Sequence, residues 1–168
     1  MMSSSSLRLP FAFLALFISI TASSAEPTIF VVRHAEKAQG GNEKDPDLSE
    51  TGRARAESIA RVLKDAGITA IYATELKRTQ QTAEPLARAM QLEVTVVPAK
   101  ETATLISKVK ATDGDALVVG HSNTVPQILQ ALGSTTAVTI GDEEYDNLFV
   151  LVAGTPTKVI RLHLPVGP

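Results

Sequence analysis

The sequence predicts an α/β fold: a three-layer α/β/α sandwich with a mostly parallel central sheet and a C-terminal antiparallel hairpin. Three observations carry this. Short apolar runs rich in Val and Ile recur near residues 29–32, 68–73, 93–97 and 115–119, as buried strands do. Each is followed by a stretch with helical apolar spacing, and strand–helix alternation of this kind builds parallel sheets covered on both faces. The chain then changes character after residue 146, where two alternating runs flank Gly154-Thr155-Pro156-Thr157 and read as a hairpin.

The elements follow in order. Ile29 to Val32 is an apolar run that ends abruptly in Arg33-His34-Ala35-Glu36-Lys37, and Ala38 to Asp47 reads as an irregular loop. Ser49 is a good helix N-cap, Glu50 suits the positive helix start and Gly67 stops the helix. Between them Ala56, Ile59, Ala60 and Leu63 form one buried stripe. Ile68 to Ala73 is a strand, and Thr74 to Arg78 leads into a second helix whose inner side is Leu76, Thr79, Ala83, Ala87 and Met90. Pro85 within that pattern predicts a kink or a broken turn near Gln81–Thr82. Glu93 to Val97 is a third strand, Glu101 to Lys110 a third helix, and Asp115 to Val119 a fourth strand. Ser122 to Thr124 would cap a fourth helix, with Pro126 in its first turn and Gly133 near its end. In the last run Ile160, Leu162 and Leu164 alternate with Arg161 and His163, so His163 is expected to face solvent at a sheet edge.

Residues 1–25 read as a secretory signal peptide. Arg8 precedes a short apolar stretch from Leu9 to Ile20, and Ser23-Ser24-Ala25 offers small residues for cleavage after Ala25. The competing reading is an uncleaved anchor, against which the stretch is short of the roughly 20 residues a membrane span needs. Residues 26–168 then form a single domain, with no stable membrane insertion after cleavage and a periplasmic or secreted location. The formal net charge of −2, with no basic stripe and few scattered aromatics, excludes a nucleic-acid grip. The absence of cysteine excludes disulfides and thiolate metal sites. No pattern in the sequence fixes an oligomeric state.

In parallel sheets ligands sit outside the carboxyl ends of the strands. Arg33 and His34 follow the first strand, Arg78 the second, Glu101 the third and His121 the fourth, so all five meet at one edge. Two guanidiniums, two imidazoles and the amides that open the helix after Gly120-His121-Ser122-Asn123 make an anion site suited to phosphoryl transfer. Arg33, Arg78, Ser122, Asn123 and Glu36 are the candidate substrate contacts, although Glu36 would serve equally as an ion-pair partner of Lys37 or Arg33.

Arg33-His34-Ala35-Glu36, Leu48-Ser49-Glu50-Thr51-Gly52, Tyr72 to Ala83 and Val119-Gly120-His121-Ser122 together resemble the histidine phosphatase superfamily, also called phosphoglycerate mutase-like. The compact length is similar to its branch of small phosphohistidine and sugar-phosphate phosphatases. The resemblance implies a phosphoric monoester hydrolase acting on a small phosphorylated substrate. His34 would be the nucleophile, and Arg33, Arg78 and a protonated His121 would hold the phosphoryl oxygens. It implies neither metal nor other cofactor. Two departures stand out. Ala35 occupies a position where many members carry glycine, and the proton donor has no family signature around it. Glu101 is the candidate acid, with a first-turn helix carboxylate as its other reading; Asp45 and Asp47 are weaker candidates. A phosphohistidine protein phosphatase and a non-catalytic phosphoester-binding module are the alternatives. The acidic turn Gly141 to Asp146 reads as a solvated loop, with the rim of a binding site as its other reading.

Overall fold

A computed structural model describes residues 26–40, 44–154 and 156–166, so the predicted leader lies outside the described residues. Ten elements follow one another: β1 (Thr28–Arg33), α1 (Glu50–Leu63), β2 (Ile68–Ala73), α2 (Lys77–Met90), β3 (Val94–Val96), α3 (Thr102–Lys110), β4 (Asp115–Gly120), α4 (Thr124–Ala131), β5 (Asn147–Val152) and β6 (Lys158–His163). The six strands form one sheet in the order β3-β2-β4-β1-β5-β6. Four neighbours run parallel, while β5 lies antiparallel to β1 and closes a hairpin with β6. This is the three-layer arrangement the alternation predicts.

Alternate residues of the inner strands β1, β2, β4 and β5 feed two separate cores. Ile29, Val31, Tyr72, Ala116, Val118, Phe149 and Leu151 face α3 and α4, packing on Leu105, Ile106, Val125 and Ile128. Val32, Ile71, Ala73, Leu117, Val119 and Leu148 face α1 and α2, packing on Ile59, Leu63, Ala83 and Leu86. A strand buried on both faces has to be apolar throughout, which is why β1 and β4 lack the alternation of a solvated strand.

Helix starts show how the site edge is held. Ser49 caps α1, accepting from Gly52 N at 3.0 Å. Gly52 itself is required by space: a Cβ there would overlap the carbonyl oxygen of Glu36. Leu76 cannot cap α2, and Asp45 does so from the β1–α1 loop, accepting from Lys77 N at 2.9 Å. Asp47 accepts from Gln81 Nε2 at 2.8 Å, while Gln81 Oε1 accepts from Leu48 N at 2.8 Å. The first loop is thereby stapled to α2.

Pro85 does not break its helix: α2 runs unbroken from Lys77 to Met90. The ring lies on the buried side, and the turn before it gains a side-chain bond from Thr82 Oγ1 to Arg78 O at 2.7 Å. Neither Ser122 nor Asn123 caps α4; Thr124 Oγ1 instead accepts from His121 N at 2.8 Å. No helix among the described residues is long and apolar enough to cross a membrane.

Candidate active site

His34 leaves the end of β1 with its backbone N–H bonded to Gly120 O at 2.9 Å, so the ends of β1 and β4 are laced together beneath the site. Its ring Nδ1 lies 2.7 Å from Ala35 O. A carbonyl only accepts, so Nδ1 carries the proton and Nε2 keeps its lone pair. Burial, with Arg78, His121 and Arg33 nearby, lowers the His34 pKa to about 3 against the pull of the Ala35 carbonyl. The imidazole is therefore neutral at pH 7 and nucleophilic at Nε2.

The structure brings the four predicted cationic or imidazole side chains together. The His34 and His121 rings meet edge to face, 5.3 Å between centroids and 68° between planes. Arg33 and Arg78 act on both imidazoles electrostatically. Burial lowers the Arg78 pKa from its usual value, partly offset by Asp45 and Glu75. Three nitrogens of this cluster, Arg33 Nε, Arg78 Nε and His121 Nε2, are buried without a hydrogen-bond partner among the described residues. Buried polar atoms are nearly always paired. Three orphans on one cluster mark a place shaped for an anion that accepts from all of them.

His121 differs from the expectation of a protonated ring. Burial first, then Arg78 and Arg33, lowers its pKa to about 4 although Glu75 pulls the other way. With no anion bound it is neutral at pH 7. A dianion placed between the rings favours the charged form, so protonation accompanies binding.

Other expected residues fall elsewhere. Glu36 is neither a free substrate contact nor a partner of Lys37 or Arg33. Its carboxylate is gripped by Arg55 of α1, with Nε 2.9 and 3.0 Å from its two oxygens and Nη2 2.6 Å from Oε1. Arg55 Nη1 also donates to Leu164 O at 2.8 Å, tying in the segment after β6. Ser122 is half-buried and Asn123 exposed at the mouth, neither spent on capping. Glu101 sits exposed just before α3 with no capping bond. The carboxylate whose charge reaches both Arg78 and His121 is Glu75, in the turn after β2, held by Ala99 N at 2.8 Å. Asp45 and Asp47 are occupied at the start of α2. Ala35 is fully buried, and its methyl packs with Leu48 and Ala56.

The acidic turn is not a bystander. Arg33 Nη1 donates to three of its carbonyls, Gly141 O at 2.8 Å, Asp142 O at 2.9 Å and Glu144 O at 3.2 Å. Tyr145 stacks over the same guanidinium, 4.0 Å from carbon to ring centroid, and its ring lies 6.0 Å from that of His34. An aromatic residue within an acidic run was the signal available for Tyr145. Arg55 offered none, standing on a helix face like any solvated arginine.

A model of the histidine phosphatase superfamily, branch 1, matches residues 29–101, which carry β1, α1, β2, α2, β3 and the approach to α3. Over that stretch the chain is similar to members of this superfamily. Among curated relatives, phosphoserine phosphatase 1 of Hydrogenobacter thermophilus is 39% identical over 71 residues, covering 39% of this chain and 34% of that one. The match thus spans about a third of that relative's length. Among solved structures, the protein histidine phosphatase SixA complexed with tungstate aligns with TM-score 0.67 at 16% identity, over 81% of this chain and 96% of that one. A mycobacterial glucosyl-3-phosphoglycerate phosphatase with inorganic phosphate aligns with TM-score 0.63 at 16% identity, over 82% and 96%. At such identities these two share the fold.

Proposed function

We propose that this protein is a histidine phosphatase and hydrolyses small phosphomonoesters through a phosphohistidine on His34. The observation that carries the reading is the convergence of three unpartnered nitrogens, Arg33 Nε, Arg78 Nε and His121 Nε2, on a histidine whose tautomer leaves Nε2 free. In the first step Nε2 attacks phosphorus and the bond to the leaving oxygen breaks. The two guanidiniums and the protonated His121 stabilise the charge on the non-bridging oxygens. In the second, water attacks the same phosphorus, the P–N bond breaks and phosphate leaves. The leaving oxygen needs a proton when its alcohol is a poor leaving group. Glu75 is better placed for that than Glu101, being the carboxylate whose charge acts on both Arg78 and His121.

The test is a covalent trap. Incubation with a labelled phosphodonor and rapid quenching in base should leave acid-labile label on His34. Wild-type protein that hydrolyses no phosphomonoester faster than His34→Ala would end the reading, and saturable binding of a phosphoester with no label on His34 would favour the phosphoester-binding module instead. The structural likeness to SixA supports a second reading, dephosphorylation of a phosphohistidine protein. A phosphohistidine protein outcompeting every small ester in kcat/KM would establish it. On the leader expected over residues 1–25 we propose that the reaction takes place outside the cytoplasm. Fusion of that segment to a reporter active only after export tests the placement.

A further inference from the structure

Beside the phosphate cluster lies an open groove of about 780 Å³, whose walls include Arg33, Lys37, Gln39, Thr51, Asp142, Glu143 and Tyr145. We propose that this groove is the leaving-group subsite, that Tyr145 is its specificity-determining residue, and that it takes an uncharged, hydroxyl-rich alcohol. The proposal rests on the phosphatase reading above and names the substrate class that reading leaves open.

Position comes first. Arg33 belongs to both places: it is 6% exposed, its Nε is an unpartnered nitrogen of the cluster, and its side chain also lines the groove. An ester whose phosphoryl group rests on Arg33 and His34 has this groove next to it for its alcohol. Tyr145 stands at the junction, one ring stacked on the guanidinium at 4.0 Å and 6.0 Å from the nucleophilic imidazole. A ring in that place supplies a flat surface for the carbon face of a sugar or polyol, and its hydroxyl supplies a polar tip.

Charge decides the class. Glu36 also lines the groove, but its carboxylate is neutralised by Arg55. Among the described residues, the charges left lining the space beyond Arg33 are Asp142 and Glu143 against Lys37. Two carboxylates repel a second phosphate or a carboxylate on the substrate and accept hydrogen bonds from hydroxyls. Gln39 and Thr51 add neutral donors and acceptors. The wall is also built in advance. The turn carrying these residues is fixed by the three carbonyls on Arg33 Nη1, by Gly141 N bonded to Glu144 Oε2 at 2.9 Å, and by Arg161 of β6 reaching Glu144 at 3.2 Å.

The experiment compares kcat/KM on a hexose monophosphate, on 3-phosphoglycerate, and on acetyl phosphate, whose leaving group is too small to fill the groove. The wild type should prefer the hexose ester to 3-phosphoglycerate. Tyr145→Ala should lose about tenfold more on the hexose ester than on acetyl phosphate, chiefly in KM. Asp142→Asn with Glu143→Gln, both exposed and harmless to folding, should narrow the discrimination against 3-phosphoglycerate. Equal losses of Tyr145→Ala on both esters would reduce Tyr145 to a prop for Arg33 and overturn the proposal. So would a wild type that handles 3-phosphoglycerate as well as the hexose ester, or a carboxamide pair that changes nothing. Hydrolysis of none of the three above the level of His34→Ala would instead remove the phosphatase reading, and this proposal with it.

Discussion

At the residue scale the chemistry turns on which nitrogen holds which proton. The Ala35 carbonyl, 2.7 Å from His34 Nδ1, sets the tautomer, and burial keeps the ring neutral. Removing the nucleophile in His34→Ala should cost at least about a thousandfold in kcat, as loss of a covalent catalyst does elsewhere. Arg78→Lys is a finer test. It keeps the charge and discards the planar fork, including the buried Nε–H that has no partner among the described residues. A lysine presents a point charge in place of that directed donor. Arg78→Lys should therefore lose about a hundredfold in kcat, in the range seen when one oxyanion donor is removed. Activity within a few-fold of wild type, measured on one ester at saturating concentration, would show that charge alone suffices.

At the element scale the site is an edge property of a sheet whose order, β3-β2-β4-β1-β5-β6, places β1 and β4 side by side at the centre. This much was legible in the sequence, because strand–helix alternation dictates where the carboxyl ends of parallel strands lie. Arg33, His34, Arg78 and His121 could be placed there by counting strands. What counting could not supply were contacts between distant segments. Glu36 pairs with Arg55 across 19 positions, and Arg33 bonds to carbonyls more than a hundred residues later. Neither carries a local periodicity, so Glu36 read as a substrate contact and the turn over Arg33 as solvent loop. Likewise Pro85 signals a kink or a broken turn locally, yet α2 runs unbroken through it with the ring on its buried side. The Glu36–Arg55 pair gives this scale its own prediction. Its side chains are only 19% and 10% exposed, and Arg55 also holds Leu164 O. Arg55→Ala strands a poorly solvated carboxylate and should destabilise the fold by about 3 kcal/mol, whereas replacing both partners with apolar residues of similar size should restore much of it. Denaturant unfolding of the two variants decides this; equal losses would mean that the bond to Leu164, and not the ion pair, is what matters.

At the scale of the whole molecule the two imidazoles couple global stability to pH. In the unfolded chain each takes up a proton near pH 6.5. In the folded protein uptake is delayed to about 4 at His121 and about 3 at His34. Between those values the unfolded chain binds more protons than the native one, so stability falls as pH drops from about 6.5 towards 4. The thermal midpoint should decline across that window, and the decline should flatten in a His34→Gln, His121→Gln double variant, which removes the two delayed protonations but leaves every carboxylate in place. A dianion bound beside His121 would reverse the preference there, since a negative charge favours the imidazolium and His121 Nε2 is buried without a partner among the described residues. Anion binding is then coupled to proton uptake, and by linkage acid must tighten it. Sulfate serves as probe, since it stays doubly charged throughout the window. Its affinity should rise from pH 8 to pH 5, and titration calorimetry in buffers of differing ionisation enthalpy should report net proton uptake. His121→Gln should bind sulfate with neither the pH slope nor the buffer dependence. An unchanged slope in that variant would assign the proton to another group and leave His121 a neutral hydrogen-bond donor throughout.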